Sequence, residues 1–257
     1  GSNRCFAFLG LSLGPEYSFC ACGLAVLSIC PEMMRMLLIS LWLCMSVIIS
    51  CKKSTEDYRA KGPEYFPLRV GAERQYIYDS IHYSRLLNNT RSFRFWIKEF
   101  VKDSFVDQTG NLTYRFEQFI SKDSGKSYIF YDLYTAVVTS SGVQRVEENR
   151  RNTVMSFPVR NLKLWYPYDF WNDSFSTYIK YQYTAVDQPF DNGYISNPES
   201  VFIKQQYDSS FIFLRESREV YGKNQGLLHR KKRDIDFQDL QKPDGYELTW
   251  QLIRYFP

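Results

Sequence analysis

Cysteine is missing from most of this chain. All six cysteines of the 257 residues lie at or before Cys51, so the 206 residues that follow (257 minus 51) contain none. This absence excludes structural disulfides, thiolate metal sites and cysteine nucleophiles from that part of the sequence. A domain without disulfides depends on its hydrophobic core, and about 200 residues suffice for one large domain or two small ones.

Histidine and the common catalytic motifs are scarce as well. The chain has two histidines, His82 and His229, which lack the spacing of a zinc-ligand pair. It contains no G-x-S-x-G, G-x-x-x-x-G-K-[ST] or G-x-G-x-x-G motif. We therefore predict no metal, no cofactor and no catalytic residue, and we interpret both histidines as surface or packed side chains.

Paired carboxylates are the one catalytic chemistry that remains, because glycoside hydrolysis needs only two of them. Asp169 and Asp173 lie in an aromatic-rich segment, residues 166–174, and are the candidate pair. Trp165 and Trp171 are the candidate ligand-binding residues, on which a sugar could stack. The alternative interpretation of this segment is a polar loop with ordinary surface acids.

Positive and negative charges nearly balance, with a formal net charge of +4. This excess is too diffuse to indicate a nucleic-acid partner. The one dense basic run, "HRKKRD" at residues 229–234, is interpreted as a solvated strand end or loop. Attraction to anionic lipid headgroups or lipopolysaccharide is the alternative for this run.

An uncharged apolar run covers residues 36–50 and follows Arg35. Its length is short of the roughly 20 residues that span a bilayer but suits a signal-peptide core. The next residues, Ile48-Ile49-Ser50-Cys51, resemble the lipobox of bacterial lipoproteins. That resemblance implies cleavage before Cys51 and acyl chains on this residue, which would anchor the protein. An ordinary signal peptide or an uncleaved anchor helix is the alternative.

These features predict the organisation of the chain. We expect residues 1–32 to be a mis-called start or upstream translation, with the true start at Met33, Met34 or Met36. Residues 33–50 are then the lipoprotein signal peptide, residues 51–64 the lipidated cysteine and tether, and residues 65–257 a single antiparallel β-rich domain.

Seven segments alternate apolar and polar residues with a period of two, which predicts strands at 74–84, 91–102, 112–120, 127–138, 177–187, 200–208 and 245–256. Short turn signals such as "DQTGN" and "KDSGK" separate them, so neighbouring strands should pair in sequence order. Helical segments are expected at 215–223 and at 143–152, the latter equally compatible with a strand. The predicted fold is mainly β, an antiparallel curved sheet or half-barrel or a sandwich, with one or two short helices.

Aromatic residues are abundant, with 20 tyrosines and 20 phenylalanines. We interpret most of them as packing and edge-protecting residues of strands. The alternative is a curved sheet whose concave face holds an apolar or saccharide ligand.

The segment "YFPLRVGAERQYIYDS", residues 65–80, resembles uncharacterised lipoproteins of Bacteroidota, which share a Tyr-Phe-Pro-Leu-x-x-Gly motif soon after the lipid cysteine. Residues 146–151 with 157–159 and Trp165 resemble the middle block of that family, and residues 219–230 its closing block. Arg74 replaces a tryptophan usual in the family, and Gly222 an alanine. The resemblance implies export, a lipid anchor and a mostly antiparallel fold, and it brings no activity with it.

Together these observations predict a lipid-anchored protein of the cell envelope, in the outer membrane of a Bacteroidota-type organism. Lys52 and Lys53 directly follow Cys51, which favours the periplasmic face. We expect a non-catalytic binding or structural component that holds a lipid or glycan or docks a partner, with no nucleic acid. An envelope polysaccharide hydrolase is the alternative, and the sequence carries no signal for an oligomeric state.

Overall fold

The computed structural model describes residues 61–171, 178–239 and 242–257, which form one twelve-stranded antiparallel sheet. A three-residue 3-10 helix, Pro63–Tyr65, precedes the sheet. The strands are β1 Glu73–Ser84, β2 Asn89–Val106, β3 Leu112–Ser121, β4 Ile129–Val138, β5 Gly142–Glu147, β6 Arg150–Ser156, β7 Leu164–Trp165, β8 Tyr181–Asp191, β9 Ser196–Ser209, β10 Phe213–Gly222, β11 Gly226–Asp236 and β12 Asp244–Phe256.

The strand order is β6-β5-β4-β3-β2-β1-β12-β11-β10-β9-β8-β7. Strands that follow one another pair as hairpins within two wings, β1–β6 and β7–β12, and the first strand joins the wings by pairing with the last. This order confirms the prediction that neighbouring strands pair in sequence. The mainly β, antiparallel fold is confirmed too.

Alternation of side chains gives the sheet an inner and an outer face. On β2, Ile97 is buried on the inner face, while Arg94 on the outer face forms an ion pair with Asp79 of β1. Bulges interrupt the register at several places, for example between Gln75 and Tyr76 on β1. Because bulges add twist and bend a strand, they help the sheet to curl around its inner face.

The two edges of the curled sheet meet, so the sheet is nearly closed and barrel-like. The backbone N–H of Thr153 on β6 donates to the carbonyl of Pro167, 2.7 Å away, and the indole N–H of Trp165 on β7 donates to the carbonyl of Thr153. The Tyr183 hydroxyl accepts from the N–H of Ser156 and donates to its carbonyl, both at 3.0 Å. We call this contact between the edges the seam. Buried residues from both wings, including Val143, pack beneath it.

The helix predicted at 215–223 is wrong, and residues 143–152 adopt the strand that was the alternative for them. In the described ranges, helical conformation is confined to the 3-10 turn at Pro63–Tyr65 and to Tyr178, which is also in 3-10 conformation. Residues 143–152 form the β5–β6 hairpin, whose two turn residues, Glu148 and Asn149, both have positive φ, as in type I′ turns. Residues 215–223 belong to β10. In both segments the inner face carries charged residues, so the apolar period of a strand is hidden.

The boundaries predicted at residues 32 and 50, and the cysteine at 51, lie outside the described residues. Within the described ranges, no helix has the length and apolar character needed to cross a lipid bilayer.

We predict that Tyr183→Phe destabilises the fold. The substitution keeps the buried ring but removes both hydrogen bonds to Ser156 across the seam, and we expect a loss of about 1–3 kcal/mol in the free energy of unfolding. Urea unfolding followed by tryptophan fluorescence measures this loss. Tyr207→Phe is the matched control, since Tyr207 is exposed on β9 and should change stability by less than about 0.5 kcal/mol. Equal losses in the two variants would show that the seam does not depend on this hydroxyl.

Candidate functional site

A cavity of about 790 Å³ lies inside the curved sheet, lined by side chains from both wings. The first wing contributes residues such as Tyr78 of β1 and Arg145 of β5, and the second contributes Tyr181, Ser217 and Arg230 of β8, β10 and β11. The cavity is therefore a product of the closed sheet and not of any one hairpin. Its volume is within the range of small-molecule binding sites.

One end of the interior is filled by the segment that precedes β1. Tyr65 is buried and its hydroxyl donates to the carboxylate of Asp187. The ring of Phe66 packs against the rings of Phe116 and Tyr221, with centroids 6.4 Å and 6.0 Å apart. The Tyr-Phe-Pro-Leu motif thus forms a plug at this end of the sheet.

Next to the plug lies a buried polar cluster around Glu99. This carboxylate accepts hydrogen bonds from the Tyr134 hydroxyl at 2.7 Å and the Gln118 amide at 2.9 Å, and Arg74 forms an ion pair with it at 3.5 Å. All four side chains are buried. Burial, followed by the charge of Glu99, raises the pKa of Tyr134 well above its usual value, so this hydroxyl remains a donor.

Arg74 also holds the plug and a hairpin in place. Its guanidinium donates to the carbonyls of Gln225 at 2.8 Å and Pro67 at 2.9 Å. A Cβ at Gly226, where φ is +86°, would lie only 3.0 Å from Arg74 Nε. Glycine is required there both for the left-handed backbone and for the close approach of the guanidinium.

A second charged cluster forms the floor of the cavity. Arg230 Nε donates to Glu219 at 2.6 Å, and the Tyr221 hydroxyl donates to the other oxygen of the same carboxylate at 2.8 Å. Burial alone would raise the pKa of Glu219, but the charge of Arg230 and the bond from Tyr221 outweigh it, and this pKa is lowered. Glu219 is thus held as an anion with both oxygens occupied, an arrangement that suits structural pairing and not proton transfer.

Unused hydrogen-bonding capacity remains at the cavity wall. Arg145 bonds Glu147 and lies 4.1 Å from the ring centroid of Tyr134. Its Nε has no partner in the described part of the chain, and neither has the buried Oδ1 of Asn152, another lining residue. Buried polar atoms are nearly always satisfied, so these two mark the wall beside the cavity as a place where hydrogen-bonding capacity is left over.

The wall carries an excess of positive charge. The basic lining residues are Arg145, Lys180, Arg230 and Lys232, and the acidic ones are Glu147 and Glu219, an excess of two. Two of these cations come from the basic run at 229–234, which lies inside β11 and is neither a strand end nor a loop. Alternation along β11 places Arg230 and Lys232 on the inner face and the neighbouring residues on the outer face.

The candidate residues from the sequence occupy different places. Trp165 is only 6% exposed and belongs to the core beneath the seam. Trp171 donates its indole N–H to the carbonyl of Arg151 and stacks near Tyr168, with centroids 4.3 Å apart. Asp169 is exposed. Asp173 and Cys51 lie outside the described residues, so the roles predicted for these side chains stay predictions.

The two histidines lie on strands. His229 packs on the outer face beside Phe190, and burial, with the charges of Arg218 and Lys231, lowers its pKa to about 4. His82 is exposed on β1 beside Phe93. Among the described residues no three His, Cys, Asp or Glu side chains are grouped in a way that could hold a metal ion.

Sequence reasoning missed the charged residues of the interior. Arg74, Glu99, Arg145, Glu219 and Arg230 all occupy inward positions of strands, where an apolar residue is expected. The sequence signal for these interior charges was a charged residue at a position where the alternation of a strand calls for an apolar one. In β2, for example, Glu99 follows Phe93, Phe95 and Ile97 at intervals of two.

No family model matches this chain, and no curated protein matches it significantly. Among solved structures, a crystal structure from Parabacteroides distasonis ATCC 8503, described as that of a "putative lipoprotein", matches 75% of this chain and 98% of that chain. The sequence identity is 11% and the TM-score is 0.31. Similarity at this level assigns neither a family nor a function.

We predict that Glu219→Gln strongly destabilises the protein, because it leaves the buried charge of Arg230 without its anionic partner. The expected loss at neutral pH is about 3 kcal/mol, and exchanging both partners, Glu219→Gln with Arg230→Met, should recover part of it. Urea unfolding measures both values. Glu199→Gln is the control: it breaks the solvent-exposed pair with Lys223 and should cost less than about 1 kcal/mol. If Glu219→Gln costs no more than this control, the floor pair is not important for stability.

Proposed function

We propose that this protein is a lipid-anchored component of the bacterial cell envelope that binds a glycan in the cavity of its curved sheet, without catalysis. The observation that supports this function is the lining of the 790 Å³ cavity, where aromatic rings alternate with charged and amide side chains. Such a surface offers both flat apolar faces and directed hydrogen bonds.

A glycan suits this lining better than an acyl chain does. An acyl chain would cover the charged side chains of Arg145, Glu147, Glu219 and Arg230 with hydrocarbon and exclude water from them without offering hydrogen bonds in return, which is costly. A sugar brings hydroxyl groups that can bond the charged and amide side chains of the lining, together with C–H faces that can lie on aromatic rings. We therefore place the glycan first and a lipid second.

The envelope location and the anchor are supported by the sequence. The apolar run ends at Cys51 in a segment that resembles a lipobox, and two lysines follow. We propose an outer-membrane lipoprotein on the periplasmic face. The alternative function remains a polysaccharide hydrolase that uses the carboxylates of Asp169 and Asp173. Asp169, however, is exposed and is not among the cavity-lining residues.

The binding function predicts a discrete added mass in native mass spectrometry of the full chain purified in mild detergent. Ser217→Trp should abolish this mass, since Ser217 lines the cavity and the indole would fill it. Ser92→Trp on β2 is the control, because Ser92 is exposed and lies at an outward position, next to the inward Phe93. A protein that carries no ligand, or that keeps it in both variants, would contradict binding in the cavity.

The anchor predicts incorporation of a palmitate analogue at Cys51. The wild-type chain should be labelled in a Gram-negative host and Cys51→Ala should not, because the acylated residue is the cysteine itself. Cys44→Ala, which removes a cysteine within the apolar run, is the control and should keep the label. Equal labelling of wild type and Cys51→Ala would exclude a lipid anchor at this position.

A further inference from the structure

A continuous series of aromatic rings leads out of the cavity along the inner face of β12, β1 and β2. We call it the aromatic track, and in spatial order it consists of Trp250, Tyr78, Phe95, Phe93, His82 and Tyr246. Each ring centroid lies 5.5 to 6.4 Å from the next. The strand register places Tyr78 directly opposite both Trp250 and Phe95, which fixes these rings side by side on one face.

The exposure of the rings increases from Trp250 to Phe93 and His82, and the last ring, Tyr246, is half-buried. Trp250 is 9% exposed and lines the cavity, Tyr78 and Phe95 are half-buried, and Phe93 is 44% exposed. From Tyr78 to His82 the track extends about 14 Å along β1, at 3.4 Å per residue. A ligand that used the whole track would be elongated, with one end inside the cavity and the other in solvent.

Positive charges accompany the track from end to end. The Arg230 guanidinium lies 5.3 Å from the ring centroid of Trp250, and Lys232 Nζ lies 5.5 Å from that of Tyr246. Arg91 is exposed directly opposite His82 in the register. Among the described residues neither Lys232 nor Arg91 has an ion-pair partner, so both charges are available to an anion.

We infer that the ligand is an acidic oligosaccharide several sugar units long, bound along the aromatic track with its inner end at Arg145 and Arg230. This inference rests on the proposed function and adds the charge and the shape of the ligand to it. Sugar rings would lie on the exposed aromatic faces, and carboxylate, phosphate or sulfate groups would meet the interleaved cations.

Single-stranded nucleic acid also stacks on aromatic rings, but it suits this surface less well. It carries one phosphate per nucleotide, and its binding sites neutralise these with rows of lysine and arginine. Here Glu147 and Glu219 share the cavity wall with the cations, so the positive excess is two charges. An oligosaccharide whose hydroxyl-rich rings are mostly uncharged and carry only a few anionic groups matches this balance better.

The test is isothermal titration of the full chain in mild detergent with oligomers of galacturonate, alginate and heparin. We expect at least one of these acidic oligosaccharides to bind, and conversion of its carboxylates to methyl esters to weaken binding by roughly tenfold or more. Phe93→Ala and Lys232→Ala should each weaken binding several-fold, since they shorten the track and remove a charge beside it.

Two outward residues provide matched controls. Lys231→Ala changes the neighbouring lysine of β11, which pairs with Glu247 on the outer face. Phe256→Ala removes an aromatic ring of similar exposure, 49%, from an outward position at the C-terminal end of β12. Both variants should bind like the wild type, because neither side chain belongs to the track.

Binding of the neutral esters with undiminished affinity would overturn the anionic part of the inference. A preference for a single-stranded oligodeoxynucleotide or for palmitate, titrated in parallel, would overturn it in favour of another ligand class. If none of the acidic oligomers binds while native mass spectrometry still shows a ligand lost in Ser217→Trp, this inference fails and the proposed function stands. If both are negative, both fail.

Discussion

The contact between the two edges of the sheet decides whether this fold has an interior. Twelve antiparallel strands could form an open, twisted sheet with two solvent-exposed faces and two unpaired edges. Instead, the β6 edge meets the segment around β7 through the bonds of Thr153, Trp165 and Tyr183, and the inner face becomes a cavity wall. The seam is therefore a precondition for the site, because the lining residues of the two wings face a common cavity only when the sheet closes.

The polar interior is a cost that packing elsewhere offsets. A buried ion pair is often less stabilising than apolar side chains of the same volume, so pairs such as Glu219 with Arg230 do not by themselves explain a stable fold. Stability comes from the apolar clusters under the seam, around Phe116, and around Leu252. Retention of charge next to a cavity is more readily explained by a ligand than by folding.

The strands whose inner face is apolar could be predicted from the sequence, and the strands whose inner face is charged could not. β2 shows this contrast within one element, because Phe93, Phe95 and Ile97 mark it as a strand before Glu99 appears. β10 offers no such run: Arg215, Ser217 and Glu219 alternate with further polar residues, and the pattern resembles an amphipathic helix. β10 keeps the side-chain alternation of a strand, but its inward positions carry charged and polar residues in place of the apolar residues that normally reveal this alternation.

The site itself depended on information that a linear pattern does not carry. Once β10 and β11 are paired, the hairpin register places Glu219 opposite Arg230, so that pair is a local property. The approach of Arg145 and Tyr78 to the same cavity is different, because it requires the curvature of the whole sheet. Curvature arises from bulges and from the closure of the seam, and neither has a residue signature in a single sequence.

The two ends of the interior differ, because one end is closed and the other is accessible. The chain enters the sheet at the closed end, where Tyr65 and Phe66 form the plug and Arg74 fastens it to the β10–β11 turn. At the other end, the exposed rings of Phe93 and His82 continue the wall outward. A ligand arriving there would meet aromatic faces first and then the cations of the cavity wall, so it would displace no part of the structural core as it enters.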